Sequence, residues 1–182
     1  MKIAVIGRGN VGGGLARRWR EAGHDVQEIG RDGGDAAGSD GALLAVPPGA
    51  IADALGSVSG LEGIPVVDAT NARGDRPEGF DSLAEYVRSL TGGPVAKAFN
   101  TNFATLYDRL GEARTPPSMV YAADEDAREV AERLIADAGY EPVSAGGLEA
   151  ARAVEDFLAV IFAVSRAGTG PFVYRFAPPE AL

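Results

Sequence analysis

One stretch at the amino terminus constrains the fold more than any other. The apolar run Lys2-Ile3-Ala4-Val5-Ile6 leads straight into Gly7-Arg8-Gly9-Asn10-Val11-Gly12, and an amphipathic helical pattern follows. A lone GxGxxG is weak evidence, but strand, glycine motif and helix in that order form a dinucleotide-binding fingerprint. Gly7 allows a tight turn off the strand. Gly9 has no side chain to hold a pyrophosphate away from the backbone, and Gly12 lets the helix approach the sheet. The helix start then offers free N–H groups and the positive end of its dipole to phosphates.

The second strand reads Asp25-Val26-Gln27-Glu28-Ile29 and ends at Gly30-Arg31-Asp32. An NAD-selective site places an Asp or Glu at the end of this strand to accept hydrogen bonds from the ribose hydroxyls. Gly30 instead leaves room for a 2′-phosphate, and the planar guanidinium of Arg31 can grip it with paired hydrogen bonds. The pattern therefore points to NADP(H) rather than NAD, with Glu28 directed to a sheet face and Asp32 a competitor for Arg31.

The chain has 182 residues, enough for one domain or one domain with a small appendage, and 46% apolar content argues for a packed core. It has no cysteine and a single histidine, His24, so thiolate catalysis and cysteine–zinc sites are excluded and a histidine metal site is not expected. A net charge of −9 argues against nucleic acid and anionic membranes as partners. Binding an anionic cofactor must then rest on local charge, for which Arg8 and Arg31 are suited. No segment reads as a signal peptide or a membrane span, so a cytoplasmic location is expected.

Along the chain, Val11, Leu15, Trp19 and Ala22 form the buried stripe of the first helix, with Trp19 a core anchor and His24 a turn residue. Residues 31–40 are too short and glycine-rich for the helix and third strand usual here, so at most one helical turn is expected and the third strand is missing. Continuous apolar strands follow at Gly41–Val46, which stops at Pro47-Pro48, at Ile64–Ala69 and at Pro94–Phe99. Helices are expected around Ile51–Leu55, Phe80–Leu90 and Phe103–Leu110, and a further strand at Ser118–Ala122. Asp124 is positioned to cap a helix that stops at Gly139, and Tyr140–Ala145 is a last strand. A long helix runs from Leu148 to about Ala167. Its centre, Phe157–Val164, is apolar on every side and calls for a covering partner, most economically a second subunit. Pro171–Phe176 reads as an extended tail. The fold class is thus α/β, a doubly wound, mostly parallel sheet shortened between its second and fourth strands, with a C-terminal helix. We divide it into a nucleotide domain at residues 1–145 and a C-terminal helix and tail at 146–182.

The ordered series Gly7–Gly12, Gly30-Arg31, Ala45-Val46-Pro47-Pro48, Asp68-Ala69-Thr70-Asn71, Ala98-Phe99-Asn100-Thr101 and the terminal helix resembles the NADPH-dependent coenzyme F420 reductase family. The same dinucleotide domain occurs in the ferric-reductase domain of the STEAP proteins. The resemblance implies a Rossmann-like fold with NADPH lying across the carboxyl edge of the sheet and the deazaflavin F420 stacked on its nicotinamide under the C-terminal segment. It implies that Arg8, Asn10 and Val11 contact the pyrophosphate, that Arg31 meets the 2′-phosphate, and that Val46 and Pro47 wall the dinucleotide. Thr70 and Asn71 join the cofactor-binding positions, and Ala98, Phe99 and Asn100 sit beside the nicotinamide. The chain departs from the family in its short 31–40 segment, and in Asp32 and Gly33, which stand where a second basic residue often follows the arginine.

These readings converge on reversible hydride transfer between NADP(H) and a flat acceptor, most simply F420, by a homodimer. No catalytic side chain is assigned, because no compact acid–base cluster is evident and hydride transfer asks mainly for positioning and exclusion of water. Asn100 or Thr101 can hydrogen-bond a carboxamide, Asp68 anchors local backbone, and Arg73 and Arg76 can attract the acidic tail of F420. Two alternatives are a reductase of another small carbonyl, imine or flavin, and a non-catalytic NADP-binding redox sensor.

Overall fold

The computed structural model describes residues 1–72, 74 and 76–179. Its strands are β1 (Lys2–Ile6), β2 (Asp25–Ile29), β3 (Gly34–Asp35), β4 (Gly41–Leu44), β5 (Val58–Ser59), β6 (Val66–Asp68), β7 (Val95–Lys97), β8 (Ser118–Ala123) and β9 (Glu141–Ser144). Its helices are α1 (Asn10–Glu21), α2 (Ile51–Gly56), α3 (Leu83–Thr91), α4 (Glu125–Asp137) and α5 (Ala151–Val164), with short 3-10 turns before α2 and α5 and a longer one at Ala104–Glu112. Seven strands form one sheet in the order β2-β1-β4-β6-β7-β8-β9. Pairing is parallel throughout except between β7 and β8.

Alternation along the central strands divides the core in two. Ile3, Val5, Leu43, Val67 and Ala96 face one layer, where they meet Leu15 and Trp19 of α1 and Ala131, Leu134 and Ile135 of α4. Ala4, Ile6, Ala42, Leu44, Val66 and Val95 face the other, against α2, α3 and the start of α5. A parallel sheet covered on both faces needs apolar side chains on both, which is why these strands read as unbroken apolar runs. Trp19 is fully buried, donates from Nε1 to Leu134 O at 2.8 Å, and meets the Phe99 ring edge-on at 5.8 Å. His24 is buried at the end of α1 and pairs through Nε2 with Asp137 at 2.8 Å.

Residues 31–40 depart from the expectation of a helical turn. They contain the two-residue strand β3, which pairs with β5 in a separate small sheet, so β2 is the outer strand of the main sheet. Six backbone N–H groups find partners this way, in adjacent turns or on β1 (Gly33, Gly34, Ala36, Ala37, Ser39 and Asp40), without the length a helix needs. Asp124 occupies the residue before α4, but its carboxylate makes no cap bond. It is drawn away by stronger local partners, accepting from Val95 N at 3.0 Å and Arg88 NH1 at 2.9 Å. Gly139 stops the helix in the left-handed region at φ +96°.

α5 packs against α3, β7 and β8. The extended tail returns along the start of β8, where Ser118 N donates to Tyr174 O at 2.8 Å and Phe176 N to Ser118 Oγ at 2.8 Å. Within the apolar stretch of α5 only Ile161 is buried; Val160, Phe162 and Val164 are 52%, 44% and 39% exposed, leaving an uncovered apolar face. Among the described residues no helix is long and apolar enough to cross a membrane.

Candidate dinucleotide-binding site

The strand order places β1 and β4 side by side while the chain leaves β1 toward β2 on one flank and returns to β4 on the other. Ligands of open α/β sheets bind outside the carboxyl ends of the strands at such a switch point. The glycine motif lies there, against Ala45 and Val46. Gly7 has φ +108°, and a Cβ on it would overlap the carbonyl of Ala45. A Cβ on Gly12 would overlap the carbonyl of Gly7, so α1 leaves the strand in closest contact. Gly9 differs: a Cβ there would meet nothing within 4 Å, so its bareness serves open space. No side chain caps the start of α1 and its first turn holds no acidic residue. The loop therefore presents uncompensated N–H dipoles at the sheet edge, which suits a pyrophosphate.

At the end of β2, Arg8 NH2 donates to Glu28 O at 2.8 Å. Its guanidinium rests over Gly30 rather than over the glycine loop, with Cζ 3.1 Å from where a Cβ on residue 30 would stand. The Glu28 carboxylate pairs with Arg20 NH1 at 2.8 Å. Arg31 and Asp32 are exposed in the following turn, and Asn10 and Pro47 are exposed on the loop rims, with Val11 and Val46 half-buried.

Further along the same edge, Thr70, Asn71 and Asn100 come together. Asn71 Nδ2 donates to Asn100 O at 2.9 Å, and Asn100 Nδ2 donates to Asn71 Oδ1 at 3.2 Å and Val154 O at 3.2 Å. Thr70 Oγ1 and Asn100 Oδ1 are buried without a partner among the described residues. Phe99 has φ +61°, a region that bulky residues rarely adopt. This turn sends its ring into the core with that of Tyr140 and leaves Asn100 at the edge. Ala98 is likewise fully buried, so residues 98 and 99 reach the edge through backbone alone. Thr101 Oγ1 is engaged with Tyr174 OH at 2.7 Å, and burial pushes that phenol up from its ordinary range.

Beneath this edge lies a cluster of buried charges. The register pairs Asp68 with Lys97, and both side chains are fully buried. Lys97 Nζ donates to Asp68 Oδ2 at 2.8 Å and Thr70 O at 2.6 Å, and lies 3.1 Å from Glu155 Oε1. Asp68 Oδ1 accepts from Thr70 N at 2.8 Å, the local anchoring expected of it. Glu155, from α5, also accepts from Leu83 N at 2.8 Å and Ala84 N at 3.3 Å at the start of α3, and from Arg76 Nε at 3.0 Å. Arg76 further donates to Asp156 at 2.7 Å. Burial opposes the Arg76 charge, but its bonds to Asp156 and Glu155 outweigh it and hold the guanidinium above its ordinary value. Asp156 is held low by Arg152 and then Arg76. Lys97 stands alone in an apolar run, which is the available signal, whereas Glu155 sits beside Asp156 and offers none. An ion inside a buried strand or helix requires a counter-ion, and Asp68 is the nearest in register.

Beside Asn71 opens a cleft of about 680 Å³, with Arg76, Glu155, Leu158, Phe162 and Arg166 in its walls. That volume suits a small-molecule site. A larger, open depression of about 810 Å³ beside α3 contains none of the motif residues. Arg73 and Asp75 lie outside the described residues, so of the two arginines expected near an acidic tail only Arg76 is placed.

Architecture and glycine loop together define a Rossmann-like, doubly wound α/β protein. Comparison with solved structures agrees. A candidate F420-dependent NADP reductase from Arthrobacter sp. FB24 superposes with a TM-score of 0.80 at 24% identity, over 98% of this chain and 100% of that one. A hypothetical protein from Sinorhizobium meliloti is 29% identical over 82% of this chain and 87% of its own, with a TM-score of 0.66. A reductive aminase from Aspergillus terreus, solved with NADPH and ethyl-5-oxohexanoate, matches with a TM-score of 0.68 at 15% identity; this chain covers 63% of it. No protein-family model matches the chain, and no curated protein matches it. The likeness drawn from the motifs is met by a solved structure of similar length, and at these identities it carries the fold.

Proposed function

We propose that this chain is an NADP(H)-dependent oxidoreductase that moves a hydride between the nicotinamide and a flat redox acceptor, coenzyme F420 or a close analogue. The observation that carries the reading is the open cradle at Gly9 on the same sheet edge as the arginine-bearing cleft beside Asn71. The NADPH-bound aminase of the same fold and the F420-linked description of the Arthrobacter protein support it.

In this reading Gly7, Gly9, Asn10, Val11 and Gly12 hold the pyrophosphate, Gly30 and Arg31 the 2′-phosphate end, and Val46 and Pro47 wall the dinucleotide. Thr70, Asn71, Asn100 and the backbone of Ala98 and Phe99 border the nicotinamide. NADPH, when bound, supplies the hydride, and reduction of the acceptor takes up one proton with it. The work of the protein is alignment and exclusion of water, worth many orders of magnitude in effective concentration. Lys97 and Asp68 sit below the edge, sealed from it, and hold Thr70 rather than the substrate. Residues 1–145 then form the nucleotide-binding part. Residues 146–182 are the second part, in which α5 gives one wall of the cleft, and the uncovered face of α5 is where a second copy packs. Substrates of this kind belong to the cytoplasm.

The test is to mix the purified chain with NADPH and oxidised F420 and follow the deazaflavin's visible absorbance. Its loss with matching NADPH oxidation supports the reading. NADPH oxidation only with a carbonyl, imine or flavin moves the acceptor class, and tight NADPH binding without any reduction makes the chain a sensor. Absence of calorimetric uptake of NADPH and NADP⁺ overturns the proposal.

A further inference from the structure

A sulfur atom holds the turn that follows β7. Successive N–H groups of a strand point to opposite neighbours, and Ala98 N donates to Asp68 O of β6 at 3.1 Å. The N–H of Phe99 therefore faces β8. The β7–β8 ladder has already ended, with Lys97 opposite Ala122 as its last pair. Among the described residues the partner of Phe99 N is instead Met119 Sδ, at 3.2 Å. The same sulfur accepts from Asn102 Nδ2 at 3.4 Å, a group that also meets Ser118 O at 3.3 Å. One thioether thus spans both ends of the Phe99–Asn102 turn. Met119 is fully buried in the core layer of Trp19, Phe99 and Tyr140. That layer asks only for apolar volume, whereas the two N–H groups ask for a lone pair.

We infer that Met119 is a positioning residue for the nicotinamide edge, acting through Phe99 and Asn100. This rests on the NADP(H) reading above and adds a residue to it. The positive φ of Phe99, +61°, is a costly conformation for an aromatic residue and persists only where its surroundings hold it. Trp19 and Tyr140 hold the ring, with centroids 5.8 and 6.5 Å away, and Met119 holds the N–H. The turn decides where Asn100 stands, and from there its Nδ2 reaches Asn71 Oδ1 and Val154 O, both at 3.2 Å. Without the sulfur a buried N–H loses its partner, and the turn loses a restraint at its strained residue. The edge residues remain, but their spacing relaxes. The hydrogen bonds of Met119 all go to this turn and none to the glycine loop among the described residues, so the phosphate end of the cofactor is unaffected.

The chain has two methionines, Met1 and Met119, and Met1 is exposed. Expression in a methionine auxotroph fed norleucine therefore exchanges the one buried sulfur for a methylene, and selenomethionine exchanges it for another acceptor. Calorimetry compares NADPH with 2′,5′-ADP, which lacks the nicotinamide, while proton–nitrogen NMR follows the Phe99 amide. Met119→Leu supplies a second sulfur-free protein, and thermal melts check that each one folds. Norleucine should weaken NADPH about 3- to 10-fold, the size of one lost hydrogen bond, with 2′,5′-ADP changed less than about twofold and the Phe99 amide shifted. Met119→Leu should follow norleucine, and selenomethionine should keep both affinities within about twofold of the sulfur protein. Equal losses for the two ligands would make Met119 a packing residue only; this overturns the inference and leaves the NADP(H) reading standing. Unchanged NADPH affinity in both sulfur-free proteins overturns it in the same way. A sulfur protein that takes up neither ligand removes both.

Discussion

Lys97→Met separates the buried charge cluster from ordinary packing. The substitution keeps much of the side-chain volume but removes the cation that meets Asp68 Oδ2, Thr70 O and Glu155 Oε1. Glu155 retains Arg76 and two N–H groups of α3, so its charge stays compensated. Asp68 does not: it is fully buried, and its remaining bond is to Thr70 N. Leaving a buried ion without its partner costs about 3–5 kcal/mol. For a chain of this size that corresponds to a fall in Tm of roughly 6–20 °C. Asp68→Asn alone leaves Lys97 on Thr70 O and Glu155 and should cost about 1–3 kcal/mol. The double variant removes the stranded charge while keeping an acceptor for Thr70 N, so it should be more stable than Lys97→Met alone. Urea denaturation with a check that the m-value is constant measures all four corners of the cycle. Additive losses, or a Lys97→Met variant within about 1 kcal/mol of the wild type, would refute the reasoning.

Gly9→Val should leave stability within about 1 kcal/mol, since a Cβ there meets nothing and φ is −76°. The same change should weaken NADPH at least tenfold by filling the cradle; a melt and a titration on one sample decide it, and unchanged affinity would move the pyrophosphate elsewhere. Tyr107 and Tyr140 carry buried hydroxyls without partners among the described residues, and burial raises both phenols above their ordinary value. The unfolded chain loses these protons first, so stability should hold to about pH 10 and then fall, by up to about 1.4 kcal/mol per pH unit for each. Urea midpoints between pH 8 and 11 should show that fall shrinking in Tyr107→Phe and Tyr140→Phe, while a steeper fall would reverse the sign argued here.

The elements of this fold that a sequence reading captures are those with strong local signals. The strand–glycine–helix unit, the apolar central strands and the stop at Gly139 follow from periodicity and backbone chemistry. Boundaries shorten at the carboxyl edge, where β4 ends at Leu44 and β6 at Asp68 rather than at Val46 and Ala69. The β3–β5 pairing escaped because two residues carry no period and their partners lie more than twenty positions away. Asp124 shows the same limit: its position marks a cap, but a side chain chooses its partner in three dimensions. The Lys97–Asp68–Glu155 cluster joins two strands and a helix distant in sequence, so only the isolation of Lys97 and Asp68 among apolar neighbours hints at it. The path of Arg8 to Gly30 was equally out of reach, because residue type specifies a guanidinium but not the direction it takes.

Glu155 carries a consequence for anyone wishing to redesign this molecule. One carboxylate simultaneously fastens the terminal helix, the first turn of α3 and the ammonium beneath Thr70. Swapping the terminal helix for that of another protein would therefore disturb the floor under the sheet's carboxyl edge as well as the wall of the cleft beside it. A graft that retained an acid at this one position could vary Leu158, Ala159 and Phe162 to reshape the cleft, keeping the chassis intact.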